Sequence, residues 1–334
     1  MLFSQDIGID LGTGNTLVCV KNKGIIIKEP SVVAVDVRNT PSKVVAVGEE
    51  AKQMLGRTPG SITAVKPLKD SVIADFDITT DMLREFIKKA TSGSLFSRAR
   101  VLICIPSSIT EVERRAVHDA AKNAGARYVS LIEAPMAAAI GAGMPVADAT
   151  GSMIVDIGSG TAEVAVISLG DIVASKTVKT AGDAFDSAIV QYIKKTYNLL
   201  IGERTAEEIK LSIGSAHPYE GEAAVSVKGR NLTDGLPNTV EITSKEIRQA
   251  LQDPLKQITE AIRSTLEKTP PELSADIISS GIVLTGGSAL LRGLDKLIEK
   301  ETGMPVHIAE KPVDCVITGI AICLRKDTLN IIRS

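Results

Sequence analysis

The chain has 334 residues, 44% apolar and 23% charged, the composition of a globular protein with material for one large or two medium cores. A formal net charge of −2 supplies no cationic surplus of the kind that binding a phosphate backbone requires, so nucleic acid is not expected as a partner. No apolar stretch reaches membrane-spanning length and Met1-Leu-Phe-Ser-Gln-Asp6 lacks the form of a secretory signal, so the expected location is cytoplasmic.

Residues 6–20 read as strand, glycine turn, strand: β-branched residues enter, Gly12-Thr13-Gly14 reverses the chain, and an apolar run leaves toward a turn at Gly24. Residues 33–69 mix short strands with Pro and Gly turns, as a small inserted subdomain would. Residues 101–105 form a buried strand, and residues 110–123 a helix opening on Thr110-Glu-Val-Glu113, a capping box. The opening pattern then returns. Residues 7–20 align with 153–166, matching Asp10 to Asp156, Gly12 to Gly158 and Gly14 to Gly160, and the second copy turns again at Gly170. Beyond it, 183–197 and 244–268 read as helices, and 181–240 is a second insertion with a polar hairpin near 225–236. Residues 281–285 read as a buried strand ending at Gly286-Gly287, a turn expected to open a helix. An α/β fold follows, with two duplicated halves, mixed sheets flanked by helices, and a cleft between the halves.

The repeated Asp-x-Gly-x-Gly turn has a chemical use. Glycines at 12, 14, 158 and 160 let backbone N–H groups approach phosphate oxygens, and carboxylates at Asp10 and Asp156 beside phosphates call for an intervening cation, Mg²⁺ held partly through water. Two hairpin turns selected only for backbone geometry are the alternative, weakened by the duplication. The four cysteines, Cys19, Cys104, Cys315 and Cys323, lack paired spacings and read as buried thiols in a reducing cytosol; His118, His217 and His307 are scattered, so a metal site on them is not expected.

The paired turns with Leu284-Thr-Gly-Gly-Ser-Ala-Leu-Leu291 resemble the actin, hexokinase and heat-shock-chaperone ATPase superfamily. Within it the chain resembles the MreB family of bacterial actin homologues over nearly its full length, through Glu29-Pro-Ser-Val-Val33, Gly56-Arg-Thr-Pro59, Val72-Ile-Ala-Asp75, Pro135-Met-Ala-Ala-Ala-Ile-Gly141, Ile201-Gly-Glu-Arg-Thr-Ala-Glu207 and Lys268-Thr-Pro-Pro-Glu-Leu273. The resemblance implies an actin-like ATPase fold of ribonuclease-H-like halves and four subdomains: IA at 1–32 and 70–150 with 315–334, IB at 33–69, IIA at 151–180 and 241–314, and IIB at 181–240. It implies ATP and Mg²⁺, with Asp10 and Asp156 on the metal. Thr13, Gly14 and Asn15 would lie on one side of the phosphates, with Ser159, Gly160 and Thr161 on the other. Glu207, Glu208 and Lys210 would border ribose and base, and Gly286, Gly287, Ser288 and Ala289 the adenosine side. A solvated helical face is the alternative for Glu207 and Lys210.

The chain departs from the family pattern at the hydrolysis site. Where the family reads Glu-Glu-Pro, this sequence has Glu133-Ala134-Pro135, and a methyl group neither accepts a proton nor orients a water. Ser159 and Ala162 replace a glycine and a threonine in the second turn, and Ser288 stands for a third glycine. Thr161 still offers a hydroxyl to the catalytic turn while Ala162 removes one, and retained ATP binding with slow or lost hydrolysis is expected.

The resemblance also implies a self-assembling filament on the inner face of the cell membrane, serving cell shape together with cell-wall elongation proteins. Leu95 and Phe96, near Arg98 and Arg100, and Leu2 and Phe3 at the start suit an anionic bilayer surface, each anchor weak alone and strong when repeated along a filament. Packing of Phe96 on its own domain is the alternative. Two rival functions stay open: a monomeric ATPase or kinase of the superfamily, and a pseudo-ATPase paralogue that co-assembles with an active filament protein.

Overall fold

The computed structural model describes residues 5–38, 42–58, 60–91 and 99–325. The chain divides into two compact units, residues 1–146 with 313–334, and residues 147–312. In the first unit, β1 (Asp6–Leu11) pairs antiparallel with β2 (Asn15–Val20), and β2 with β3 (Gly24–Pro30). A three-stranded sheet follows, with β4 (Val33–Asp36) flanked by β5 (Lys43–Val47) and β6 (Ile62–Val65), and α1 (Glu49–Met54) between the last two. Val32, Ala34, Ala46 and Ala51 form its small core. The hairpin β7 (Leu68–Lys69) and β8 (Val72–Ile73) leads to α2 (Phe76–Ala90), whose first turn is capped by Asp75 accepting from the Ile78 N–H at 3.0 Å.

The chain then adds β9 (Arg100–Ile105), α3 (Glu111–Asn123), β10 (Tyr128–Glu133) and α4 (Ala134–Gly141). The Thr110 capping box forms as the sequence predicts, with Glu113 N–H donating to Thr110 Oγ1 and Thr110 N–H to Glu113. The strand order β10-β9-β1-β2-β3 places the buried strand β1 at the centre, parallel to β9 and antiparallel to β2. Alternation divides its side chains between two faces. Ile7, Ile9 and Leu11 share a core with Met82, Leu83 and Phe86 of α2 and Val117, Ala120 and Ala121 of α3.

The second unit repeats the plan. β11 (Ser152–Ile157), β12 (Ala162–Ser168) and β13 (Asp171–Val178) form the antiparallel part, followed by α5 (Gly182–Tyr197). The insertion holds β14 (Leu199–Leu200), α6 (Glu203–Ile213), β15 (Ala224–Asn231) and β16 (Pro237–Thr243). Helices α7 (Ser244–Ala250), α8 (Gln252–Lys268) and α9 (Pro271–Ser280) precede β17 (Ile282–Thr285), α10 (Leu294–Thr302) and β18 (Val306–Ile308). The order β13-β12-β11-β17-β18 matches that of the first sheet, strand for strand. Phe185, Ile189 and Ile193 of α5 and Leu255, Ile258 and Ile262 of α8 close its core.

Two sequence expectations are corrected. Residues 244–268 are two helices, because Pro254 has no N–H for the Ala250 carbonyl and its ring crowds that oxygen; Leu251 serves as the last cap of α7 and the first of α8. The Thr285-Gly-Gly turn opens a single 3-10 helix at Gly287–Leu290, and α10 begins only after Gly293. All four cysteines are buried and outside any disulfide.

The chain re-enters the first unit at α11 (Cys315–Arg325), on the face of β1 opposite α2 and α3. Gly8 makes room there: a Cβ would lie 2.3 Å from Ile320 of α11. The crossing of α4 with α11 is closer still, since a Cβ at Gly141 would stand 1.8 Å from the Cys315 carbonyl oxygen and one at Gly319 1.8 Å from that of Ala137. Backbone cannot yield as a side-chain tip can. Gly141→Ala is therefore expected to destabilise by about 3 kcal/mol, whereas Gly202→Ala, with nothing within 4 Å of its Cβ, should shift stability by less than about 1 kcal/mol; thermal unfolding of both variants checks the difference.

Candidate functional site

In the first unit, β1 carries Asp10 near its C-terminal end, half-buried and registered against Leu17. Gly12 donates its N–H to the Asn15 carbonyl at 3.1 Å, and a Cβ there would lie 2.8 Å from that oxygen. Closing the reversal thus occupies the Gly12 N–H, which the sequence had assigned to phosphate. Thr13, Gly14 and Asn15 form the rest of the tip, with Thr13 buried and Asn15 exposed. Ser31 braces it, its hydroxyl donating to the Gly12 carbonyl at 2.6 Å and its N–H to that of Gly14 at 3.0 Å. Thr13 Oγ1 accepts from the Ser71 N–H at 2.8 Å, at a β7–β8 turn where Asp70 and Ser71 both hold a left-handed φ, +51° and +61°. Ser31 lies in the Glu29-Pro-Ser-Val-Val33 segment, but neither it nor Ser71 shows in the sequence which turn it braces, because that role arises from a contact across the fold.

The second unit has the same reversal. Gly158 donates to the Thr161 carbonyl at 3.0 Å, Ser159 and Gly160 make the tip, and Thr161 is buried. Ser159 is not among the described residues with positive φ, so a side chain is accommodated where the family pattern has glycine. Gly182 and Asp183, the first residues of α5, donate to the Gly158 and Ser159 carbonyls at 3.2 and 2.8 Å. Ser288 Oγ donates to the Gly158 carbonyl at 2.7 Å and ties the third glycine turn to the second. In that turn Gly286 has φ +84°, and a Cβ would strike the Ile157 carbonyl at 2.3 Å; Gly287 is exposed and Ala289 buried.

Each candidate metal carboxylate has a donor on the next parallel strand. Cys104 Sγ of β9 lies 2.9 Å from Asp10 Oδ1, and Thr285 Oγ1 of β17 donates to Asp156 Oδ1 at 3.0 Å. Burial pushes the Asp10 carboxyl up to about 6, with the Cys104 contact acting in the opposite sense. Hard carboxylate oxygens at these strand ends suit Mg²⁺. Among the described residues no group of three or more His, Cys, Asp or Glu converges, so a cation here would complete its shell with phosphate oxygens and water.

On α6, Lys210 lies 2.9 Å from Asp186 Oδ1 of α5 and Glu207 is half-buried, while Glu208 is exposed and bonded to Arg204 at 3.1 Å, one turn away. Asp186 was not singled out from the sequence; its place one turn after Gly182-Asp183 was the available signal. Ala134 is the first residue of α4, and Glu133, which ends β10, makes no side-chain cap to that helix. Leu2, Phe3, Leu95 and Phe96 lie outside the described residues. No described helix is long and apolar enough to cross a membrane.

Two sheets of one strand order, each with a glycine reversal after its central strand, define the actin-like class of protein, and solved structures agree. MreB5 of Spiroplasma citri bound to ADP has a TM-score of 0.93 at 39% identity over 100% of both chains, and its AMPPNP-bound form 0.92 at 40% over 98% of both. The MamK double helical filament has the same fold, with a TM-score of 0.81 at 20% identity over 96% of this chain and 98% of that one. The chain belongs to the MreB/Mbl family, whose profile, described as MreB/Mbl protein, matches residues 4–331. It is 56% identical to the cell shape-determining protein MreB of Escherichia coli K12 over 321 residues, 95% of this chain and 92% of that one. It is 52% identical to the cell shape-determining protein Mbl of Bacillus subtilis 168 over 323 residues, 97% and 96% of the two chains.

Burial raises the Asp186 carboxyl from 3.8 to about 6, against the pull of Lys210 and with the negative charges of Glu207 and Asp183 adding to the rise. A carboxyl that holds its proton more tightly folded than unfolded favours the folded state at low pH. That contribution is lost as pH rises through the window from 3.8 to about 6. The melting temperature of the wild type relative to Asp186→Asn should therefore fall from about pH 4 to about pH 6 and level off above, as thermal unfolding across that range will check.

Proposed function

We propose that this chain is an ATP-binding, self-assembling cytoskeletal protein that determines cell shape from the inner face of the membrane, with weak ATP hydrolysis. The carrying observation is the full-length family match to cell shape-determining proteins, joined to the duplicated Asp-Gly reversal in both units. The relatives solved with ADP and AMPPNP support nucleotide as the ligand, and the MamK filament supports self-assembly. In this reading Thr13, Gly14 and Asn15 contact phosphate through one turn and Ser159, Gly160 and Thr161 through the other. Asp10 and Asp156 hold Mg²⁺, which when bound neutralises phosphate charge. Glu207, Lys210 and Gly286–Ala289 serve the adenosine side. The subdomain boundaries given above, the membrane anchors Leu2, Phe3, Leu95 and Phe96, and the cell-wall elongation partners belong to the same proposal.

Ala134 gives the second reading its specific support. At the head of α4, a methyl group stands where the family pattern has a carboxylate, so water near the phosphate end is not oriented by that residue. A pseudo-ATPase that co-assembles with an active homologue would carry this change. Ala134→Glu is expected to raise single-turnover phosphate release by ~10²- to 10⁴-fold while leaving ATP affinity within about twofold. An unchanged rate would remove the claim that this position limits hydrolysis.

Sedimentation with ATP and anionic vesicles tests assembly and membrane attachment together. The wild type is expected to pellet with vesicles only when nucleotide is present, and Leu95→Ser/Phe96→Ser to assemble but leave the vesicles, because many weak anchors must act at once. Pelleting only with an active homologue present would establish the co-assembly reading instead, and a soluble monomer with substrate-stimulated turnover would establish the kinase-like one.

A further inference from the structure

Lys210 is fixed by a group that the ATP reading leaves without a role. Its ammonium lies 2.9 and 3.0 Å from the two oxygens of Asp186 and 3.1 Å from the Gly182 carbonyl oxygen. Two of its three donors make hydrogen bonds, to Asp186 Oδ2 and to the Gly182 carbonyl, and Asp186 Oδ1 adds an ion-pair contact without a hydrogen bond. The two side chains are 13% and 11% exposed, so the pair is largely removed from water.

Asp186 lies one turn into α5, and the start of that helix is joined to the second phosphate turn. Gly182 and Asp183 donate to the carbonyls of Gly158 and Ser159, and a Cβ at Gly182 would stand 2.9 Å from Ser288 Oγ and 3.3 Å from the Gly158 carbonyl oxygen. From α5 the Asp186–Lys210 pair crosses to α6, which also carries Glu207. One path of backbone hydrogen bonds and a buried ion pair therefore runs from the phosphate turn to the helix assigned to ribose and base.

We propose that Asp186 is a positioning residue of the nucleotide site, fixing Lys210 and α6 against the phosphate turn so that the site recognises the nucleoside as well as the phosphates. The inference rests on the ATP reading and deepens it. A buried lysine deprived of its carboxylate either loses its proton or swings toward water, and in both cases the wall it forms is lost. Held as it is, Lys210 acts as a rigid post with its charge matched, not as a mobile cation reaching for phosphate. The phosphate turn itself closes through Gly158 and Thr161 without Asp186, so its grip is independent of the pair.

Calorimetric titration of the full chain with Mg·ATP and with Mg·tripolyphosphate separates the two contributions. Asp186→Asn is expected to weaken ATP by about tenfold or more and to leave tripolyphosphate within about twofold. Asp186→Asn/Lys210→Met should bind ATP within about twofold of Lys210→Met alone, because the carboxylate acts through the lysine. Equal weakening of both ligands, unchanged ATP affinity, or additive losses in the double variant would overturn the inference. Should Asp186→Asn fail to fold by circular dichroism, the double variant, which leaves no unpaired charge, is expected to keep tripolyphosphate affinity and lose ATP affinity; ATP binding at the wild-type level would then overturn the proposal. A wild type that takes up neither ligand defeats the ATP reading itself and this inference with it, whereas a wild type that binds ATP beside an unaffected Asp186→Asn defeats only the inference.

Discussion

The hydrogen bond that closes each glycine reversal, Gly12 to Asn15 in one unit and Gly158 to Thr161 in the other, is the constraint on which the site depends. It ends a buried central strand within two residues and sends the chain straight back as its antiparallel neighbour. Asp10 and Asp156 are thereby held at the strand ends, with two residues enclosed by each closure. A longer loop would cost conformational entropy and scatter those N–H groups. Instead the tip geometry is fixed before any ligand arrives, which is the condition for tight anion binding by backbone.

The two reversals are braced by different means. In the first unit the supports are hydroxyl and backbone contacts from Ser31 and from the strained Asp70-Ser71 turn; in the second they are the head of α5 and Ser288. Duplication kept the strand order and the carboxylates, while the surroundings diverged. The donors beside the carboxylates diverged as well, a thiol at Cys104 and a hydroxyl at Thr285. A thiol is the weaker donor, and the Asp10 carboxyl is pushed up to about 6 by burial that Cys104 only partly offsets.

Ala134 sets chemistry apart from architecture. Nothing in the packing of α4 requires a carboxylate at its first position: Pro135 begins the helix well, and Ala137, Ala138 and Ala139 are buried along it. The close crossing of α4 with α11 is made by glycine backbone further along. Alanine at this position is therefore compatible with an intact fold, and in the proposed reading it would slow hydrolysis while leaving the elements assigned to nucleotide in place.

Much was legible in the sequence because it is local or repeated. The Asp-Gly turns and the Thr110 capping box are fixed by neighbours within a few residues, so period and spacing reveal them, whereas Ala134, Ser159 and Ser288 stand out only against the family pattern that the sequence resembles. The apolar centre of each sheet follows from runs that only a doubly covered strand would carry. The split at Leu251 was missed although Pro254 marked it, because the apolar period continues through the break. What tertiary structure alone decided is which distant groups meet: Ser31 and Ser71 on the first turn, Thr285 on Asp156, Asp186 on Lys210. Such pairings depend on how strands register and helices dock, and a single polar residue leaves no periodic trace of the partner it will find.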